Sequence, residues 1–294
     1  MLNNARIVSP VTTRSARAGT RSHRMTIALG YARGRLQWLR PDARRRSRLA
    51  VAAIAGAQAD DRMAREHLEH TGARDQLIRR PRIISDAAIV DGHHLHAAKA
   101  AGRGVIVSYC HFGPFPAIGV TALALVNDVH QVAGAWLAAP RLDAITPRVR
   151  RWRHLFDQAG VPLISSEGCF VTLVDLLRRG ATVVMAFDWP GSVDSILLGR
   201  PVRLASGTAR LAEATGALVV PAMREFNRLE LRTIFSPALE SSTHGGWRGL
   251  HDALVSHHEA WIRECPAALE DPRRPGAWEA AATAESWSLP ARLR

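Results

Sequence analysis

The chain has almost no lysine. Of its 39 basic residues only Lys99 is a lysine, and the rest are arginine. That bias follows from a GC-rich coding sequence, so part of the net charge of +13 reflects codon usage rather than a dedicated basic surface. Acid is nearly missing from the start of the chain. Residues 1–48 hold twelve arginines and one carboxylate, Asp42, a balance of +11, which leaves about +2 for everything after them. Cysteine is scarce too. Cys110, Cys169 and Cys265 are three, an odd number, and widely spaced. They exclude a disulfide framework and a zinc pattern and fit a cytosolic setting. Long hydrophobic runs are absent. Leu49–Ala57 and Ala117–Val126 are the longest, well short of the ~20 residues a membrane-spanning helix needs. No apolar segment early in the chain reads as a signal peptide. Internal repeats are also missing.

What remains is ordinary globular material, 47% apolar and 22% charged over 294 residues. That is enough for one large α/β domain or two small ones. Residues 1–26, rich in Arg, Ser and Thr, read as a solvated leader. Residues 27–40 read as an amphipathic helix able to lie on a membrane or on the body of the protein. Residues 43–78 read as helical and residues 80–90 as an extended entry. From there strands and helices alternate. A helix over 91–101 precedes a strand over 105–109, and a helix over 117–126 precedes a strand over 129–138. A helix over 147–159 follows, with Thr146 as its N-cap and Pro147 in its first turn. A strand over 161–165 and a helix over 169–179 come next. This alternation predicts an α/β fold with a mixed, mainly parallel central sheet flanked by helices. A single domain over 27–270 and a tail over 271–294 complete the expected organisation.

Three segments carry chemistry. In Val105–Pro116 a buried strand delivers His111 into a turn marked by Gly113 and Pro114. A histidine at the carboxyl end of a buried strand sits where open α/β sheets place ligands, and it exchanges a proton near neutral pH. Residues 180–191 form a second strand-like run that ends in Asp188, Trp189 and Pro190. Residues 199–224 read as loop, helix and strand, with Gly216 closing the helix. Cys110 beside His111 suggests a nucleophile, but neighbours on a strand face opposite ways, so Cys110 reads as a small buried residue. His70 and Asp75 have a His-x4-Asp spacing, but they follow a charged helical segment rather than a strand. His93, His94 and His96 lack a converging acid or thiolate and do not read as a metal site.

These blocks, AAKAAGRGVIVSYCHFGPF, LLRRGATVVMAFDWPGS, ATGALVVPAMR and HEAWIRECP, come in an order that resembles the late acyltransferases of lipid A biosynthesis, of the lauroyl and myristoyl type. That family sits within the glycerolipid and lysophospholipid acyltransferase superfamily. The resemblance covers about residues 30–270. It implies that His111 is a general base, with Phe112 and Gly113 beside the substrate. The family motif places Asp or Glu after His and four further residues, where this chain has Pro116. Asp188 is the first candidate replacement, because it too follows a buried strand, and Glu167 is the second. The resemblance also implies that an arginine near Trp152 holds a phosphate. Arg148, Arg150, Arg151 and Arg153 cluster there, either for that role or as surface charge. Arg200 and Arg203, just ahead of the helix start at Ser206, are the other candidates for an anion.

The expected function is acyl transfer from a thioester, acyl-CoA or acyl carrier protein, to a hydroxyl or amine. The oxyanion would be held by backbone N–H groups near Gly113 or by an arginine. No metal or other cofactor is expected beyond the acyl carrier as co-substrate. The acceptor is a lipid or a small secondary metabolite. Two alternatives stay open: a transferase whose donor is an aminoacyl-tRNA or another acidic carrier, and an inactive binding or scaffold protein of the same fold. The expected location is the cytoplasm, with a peripheral position at the inner membrane face, reached through the basic N-terminal arm, as the other option.

Overall fold

A computed structural model describes residues 21–80, 82–114, 117–138, 146–227, 229–268, 270 and 274–283. The leader over 1–20, Pro116 and the end of the chain after 283 lie outside the described residues.

Nine strands are seen among them: β1 (Ala88–Val90), β2 (Val105–Tyr109), β3 (Val129–Ala133), β4 (Leu163–Ser165), β5 (Thr182–Ala186), β6 (Pro190–Leu197), β7 (Arg200–Leu204), β8 (Leu218–Asn227) and β9 (Glu230–Phe235). Seven of these form one sheet in the order β1-β9-β8-β2-β5-β3-β4. Every pair in it is parallel except the β8–β9 hairpin. β6 and β7 form a separate antiparallel ribbon. The fold is thus a mixed, mainly parallel sheet flanked by helices, as the alternation of elements predicts.

β2 lies at the centre, and all five of its residues are buried. A parallel strand covered on both faces reads as a continuous apolar run. The two faces divide by alternation. Val105, Val107 and Tyr109 join the core on one side, and Ile106, Cys110 and Phe112 join the core on the other.

Twelve α-helices are described. The first three are α1 (Arg21–Gln37), α2 (Pro41–Ala55) and α3 (Asp61–Arg79). Then come α4 (Arg82–Ser85), α5 (His93–Ala100), α6 (Ile118–Leu123), α7 (Ala135–Ala138) and α8 (Pro147–Ala159). The last four are α9 (Phe170–Arg178), α10 (Gly207–Thr215), α11 (Trp247–Glu264) and α12 (Arg274–Thr283). On α8 the Thr146 hydroxyl accepts from the Val149 N–H at 3.3 Å, and Gly160 closes the helix in the left-handed region. Gly30 and Gly34 of α1 lie against Gly72 of α3 with no space for a Cβ at any of the three. The two helices therefore meet backbone to backbone, and the Arg35–Glu69 ion pair at 2.7 Å spans the same seam.

Several expected boundaries move. The leader expected to reach residue 26 is already helical from Arg21. The helical stretch over 43–78 is two helices, broken where Gly56 takes a positive φ of 57°. Residues 82–85 are a helical turn rather than extended chain. β3 stops at Ala133, and the chain then turns at Gly134 into α7. The tail expected from 271 includes α12, which packs on the β6–β7 ribbon and buries Trp278 completely.

Candidate active site

His111 and Asp188 meet because of strand register. β2 and β5 run parallel with Tyr109 opposite Ala186. The Phe187 N–H continues the ladder to the Tyr109 carbonyl at 2.7 Å. Two residues past that pair, one strand carries His111 and the other Asp188. The carboxylate grips the histidine twice. Oδ1 is 2.7 Å from Nδ1, and Oδ2 accepts the His111 backbone N–H at 3.0 Å. Asp188 is fully buried, whereas the His111 side chain keeps 13% of its surface exposed. An ionised carboxylate only accepts hydrogen bonds, so the contact places the proton on Nδ1 and the lone pair on Nε2. The Asp188 carbonyl is held in turn by the Trp278 indole N–H at 2.8 Å.

His111 lies on the wall of a cavity of about 760 Å³, within the range of small-molecule sites. Its walls are largely apolar: Trp152 and Phe156 of α8, Phe170 and Leu173 of α9, Leu211 of α10, and Trp136. The Trp189 ring stands 6.1 Å from the His111 ring, and Tyr109 stands 5.8 Å from it on another side. In the cavity wall, buried Gln131 accepts from the Gly119 N–H. It donates to the Tyr109 hydroxyl and to the Val184 carbonyl. An imidazole held in one orientation at the edge of a largely apolar cavity can take a proton from a group that attacks one end of an apolar substrate.

The sequence profile of the bacterial lipid A biosynthesis acyltransferases matches residues 60–269. The chain belongs to that family. The protein is accordingly an acyltransferase of the lipid A biosynthesis type, and acyltransferases of this kind use an acyl donor and a lipid acceptor. None of the curated proteins compared matches it by sequence. Among solved structures it is similar to the 1-acyl-sn-glycerophosphate (LPA) acyltransferase PlsC from Thermotoga maritima, at 11% identity and a TM-score of 0.38. That similarity covers 83% of this chain and 97% of the other.

Other residues expected at the acyltransferase's site are placed differently. Glu167 is exposed on the loop after β4, and it is Asp188 that contacts the histidine. Phe112 faces away from His111. With Cys110, Gly113 and Pro114 it lines a smaller space of about 60 Å³ on the other side of the turn. The Gly113 N–H, expected near the oxyanion, donates to the Ala268 carbonyl at 2.8 Å. Arg153 spends its guanidinium on the carbonyls of Leu137 and Ala138, at 3.1 and 2.8 Å, and so ties α7 to α8. Arg200 pairs with Glu279 at 3.0 Å, and Arg203 pairs with Asp194 at 2.8 Å. Ser206 accepts from Arg210 at 2.9 Å. None of Arg153, Arg200, Arg203 and Ser206 lines the large cavity, although Gly207 and Thr208 do. His70 and Asp75 both lie on α3, and the buried Nδ1 of His70 has no hydrogen-bond partner among the described residues.

Proposed function

We propose that the enzyme transfers an acyl group from a thioester, acyl-CoA or acyl carrier protein, to a hydroxyl or amine, with His111 as general base. Asp188 orients the ring in place of the family's motif acid. The observation that carries this reading is the double contact between the Asp188 carboxylate and His111, at the wall of an apolar cavity.

The step balances on the chain's own residues. The acceptor's O–H or N–H gives its proton to Nε2 as the oxygen or nitrogen attacks the thioester carbonyl. The C–S bond then breaks, and the imidazolium returns the proton to the departing thiolate. Asp188 keeps the lone pair on Nε2 and neutralises the charge that develops on the ring. The apolar walls suit the acyl chain, and the acceptor is a lipid or a small metabolite that reaches the His111 end. The test is mass spectrometry of the purified protein with acyl-CoA and acyl carrier protein thioesters of graded chain length, each with a panel of alcohols and amines. The expected result is acylated acceptor and free thiol in equal amounts. Hydrolysis alone, or no turnover with any pair, overturns the reading.

The same proposal places the enzyme at an anionic membrane surface. Among the described residues no helix is long and apolar enough to cross a membrane. Met25, Leu29 and Leu36 instead stand exposed along α1, with Leu39 and Leu49 nearby. Exposed arginines 21, 24, 33, 40, 45 and 46 flank them. Apolar side chains bordered by arginine match a headgroup interface of negative charge. The protein is expected to co-sediment with vesicles containing phosphatidylglycerol and to lose most of that binding in the Leu29→Asp, Leu36→Asp double variant. Equal binding by the variant counts against this surface.

A further inference from the structure

A buried cation lies at the root of the turn that carries the base. Arg224 is only 1% exposed. It belongs to β8, which runs parallel beside β2 with Ser108 opposite Pro221. Beyond that pair β2 runs into the His111 turn, and β8 continues to Arg224, against whose carbonyl Gly113 lies. The guanidinium donates through Nε to the Thr233 hydroxyl at 2.9 Å, across the β8–β9 hairpin. Through Nη2 it reaches the Ala117 carbonyl at 3.5 Å and the Thr121 hydroxyl of α6. Its backbone matters as well. Gly113, at φ +65°, presses so closely on the Arg224 carbonyl that a Cβ would not fit.

Arg224 therefore meets the chain after His111 at two described points: Gly113 packs against its carbonyl, and its side chain donates to the Ala117 carbonyl. Ala117 is itself unusual. It is a non-glycine residue at φ 59°, in the left-handed region, and it lines the large cavity with His111. Strained backbone of this kind persists only where its surroundings fix it, and it concentrates at functional sites. Burial lowers the guanidinium to about 9, so it remains a cation in the neutral range. A desolvated charge is a poor choice for stability alone, because an apolar side chain of similar volume does as well or better.

We infer that Arg224 is a positioning residue for acyl transfer, tying Gly113, Ala117 and α6 to β8 so that His111 faces the cavity. This inference rests on the reading of His111 as the base.

The test compares Arg224→Met, Arg224→Lys and Thr121→Val with the parent enzyme and with His111→Ala, on one thioester and acceptor pair. Circular dichroism and thermal unfolding are measured alongside. Arg224→Met is expected to stay folded and to lose roughly 10- to 100-fold in kcat, the scale of loss for a displaced catalytic group, with KM within threefold. Arg224→Lys restores part of the loss, and Thr121→Val, which removes one acceptor without changing shape, lowers kcat several-fold. A folded Arg224→Met with kcat within threefold of the parent overturns the inference. Should Arg224→Met not fold, Thr121→Val decides, and an unchanged kcat there overturns it equally. If His111→Ala itself keeps turnover, it is the general-base reading that fails. If His111→Ala is inactive while the Arg224 and Thr121 variants are unimpaired, the failure belongs to Arg224 alone.

Discussion

Asp188→Asn is expected to lower kcat by about 10⁴-fold, with little change in KM. The size follows from the two contacts the carboxylate makes. The His111 backbone N–H takes one oxygen at 3.0 Å, and Nδ1–H takes the other at 2.7 Å. Asparagine has only one oxygen to offer. The backbone N–H claims it, because that amide has no freedom to turn. The asparagine NH₂ then faces Nδ1 and forces Nδ1 to accept. The ring proton moves to Nε2, the nitrogen that has to be bare for the acceptor to be deprotonated. His111→Ala removes the same function outright and is expected to lose a similar amount. Residues that act as one unit lose their effect together, so the double variant should be no slower than the slower single one. Steady-state kinetics on the thioester and acceptor pair found by mass spectrometry measures all three. Glu167→Gln, exposed and outside the contact, is expected to match the parent enzyme. Should Glu167→Gln be inactive while Asp188→Asn works within tenfold of normal, the orienting role belongs elsewhere.

Much of this arrangement was legible in the chain, and for one reason. Strand β2 is an uninterrupted apolar run with a turn signal behind it, so its limits at Val105 and Tyr109 are readable. Helix α8 is equally readable, since Thr146, Pro147 and Gly160 mark its ends by their own chemistry. Asp188 was a candidate because it too follows a buried strand, and parallel strands in register bring equivalent positions past their ends to the same place. The alternation that places Cys110 on the far side of His111 applies with equal force to Phe112. The resemblance to the family nevertheless drew Phe112 into the site, and there the local rule was the better guide.

What the chain did not reveal depends on contacts far apart in sequence. Arg153, Arg200 and Arg203 are of the residue type that grips phosphate, but their partners Leu137, Glu279 and Asp194 are fixed only once the helices and the ribbon are packed. Trp278 follows residues rich in Pro and Arg that read as tail, although its indole N–H supports the Asp188 main chain. A tryptophan that late in a tail was a signal in itself, because a solvated segment rarely carries so large an apolar group. The resemblance also implies Gly113 beside the substrate, and only the docked segment Pro266–Ala268 shows that its N–H already has an acceptor.

The second large effect concerns acid. Burial holds His67, His70, His251, His257 and His258 in forms that resist protonation, three of them strongly. Burial lowers His67 and His70 to about 4 each and His258 to about 3, against an ordinary value of 6.5. His258 stacks on Phe187 with ring centroids 4.7 Å apart and meets the Ser108 hydroxyl at 3.2 Å, directly below the active-site strands. In the unfolded chain each ring takes up its proton as pH falls through 6.5, whereas in the folded protein it stays neutral until pH is far lower. The unfolded state therefore binds more protons across this window, and stability declines as pH drops. The stabilisation from keeping these rings neutral is fully present above pH 6.5. Each ring costs about 2 kcal/mol by pH 5, and three together approach the whole stability of an ordinary domain. The protein is expected to be stable at pH 7.5 and to unfold near pH 5 at room temperature. Urea titrations at half-unit steps of pH give the slope of unfolding free energy against pH. His258→Gln, which keeps a hydrogen-bonding group for Ser108 but cannot titrate, should reduce that slope by about one proton between pH 6 and 4. An unchanged slope in His258→Gln would mean that His258 is protonated in the folded state as readily as in the unfolded one, and its burial beneath the site would then need another account.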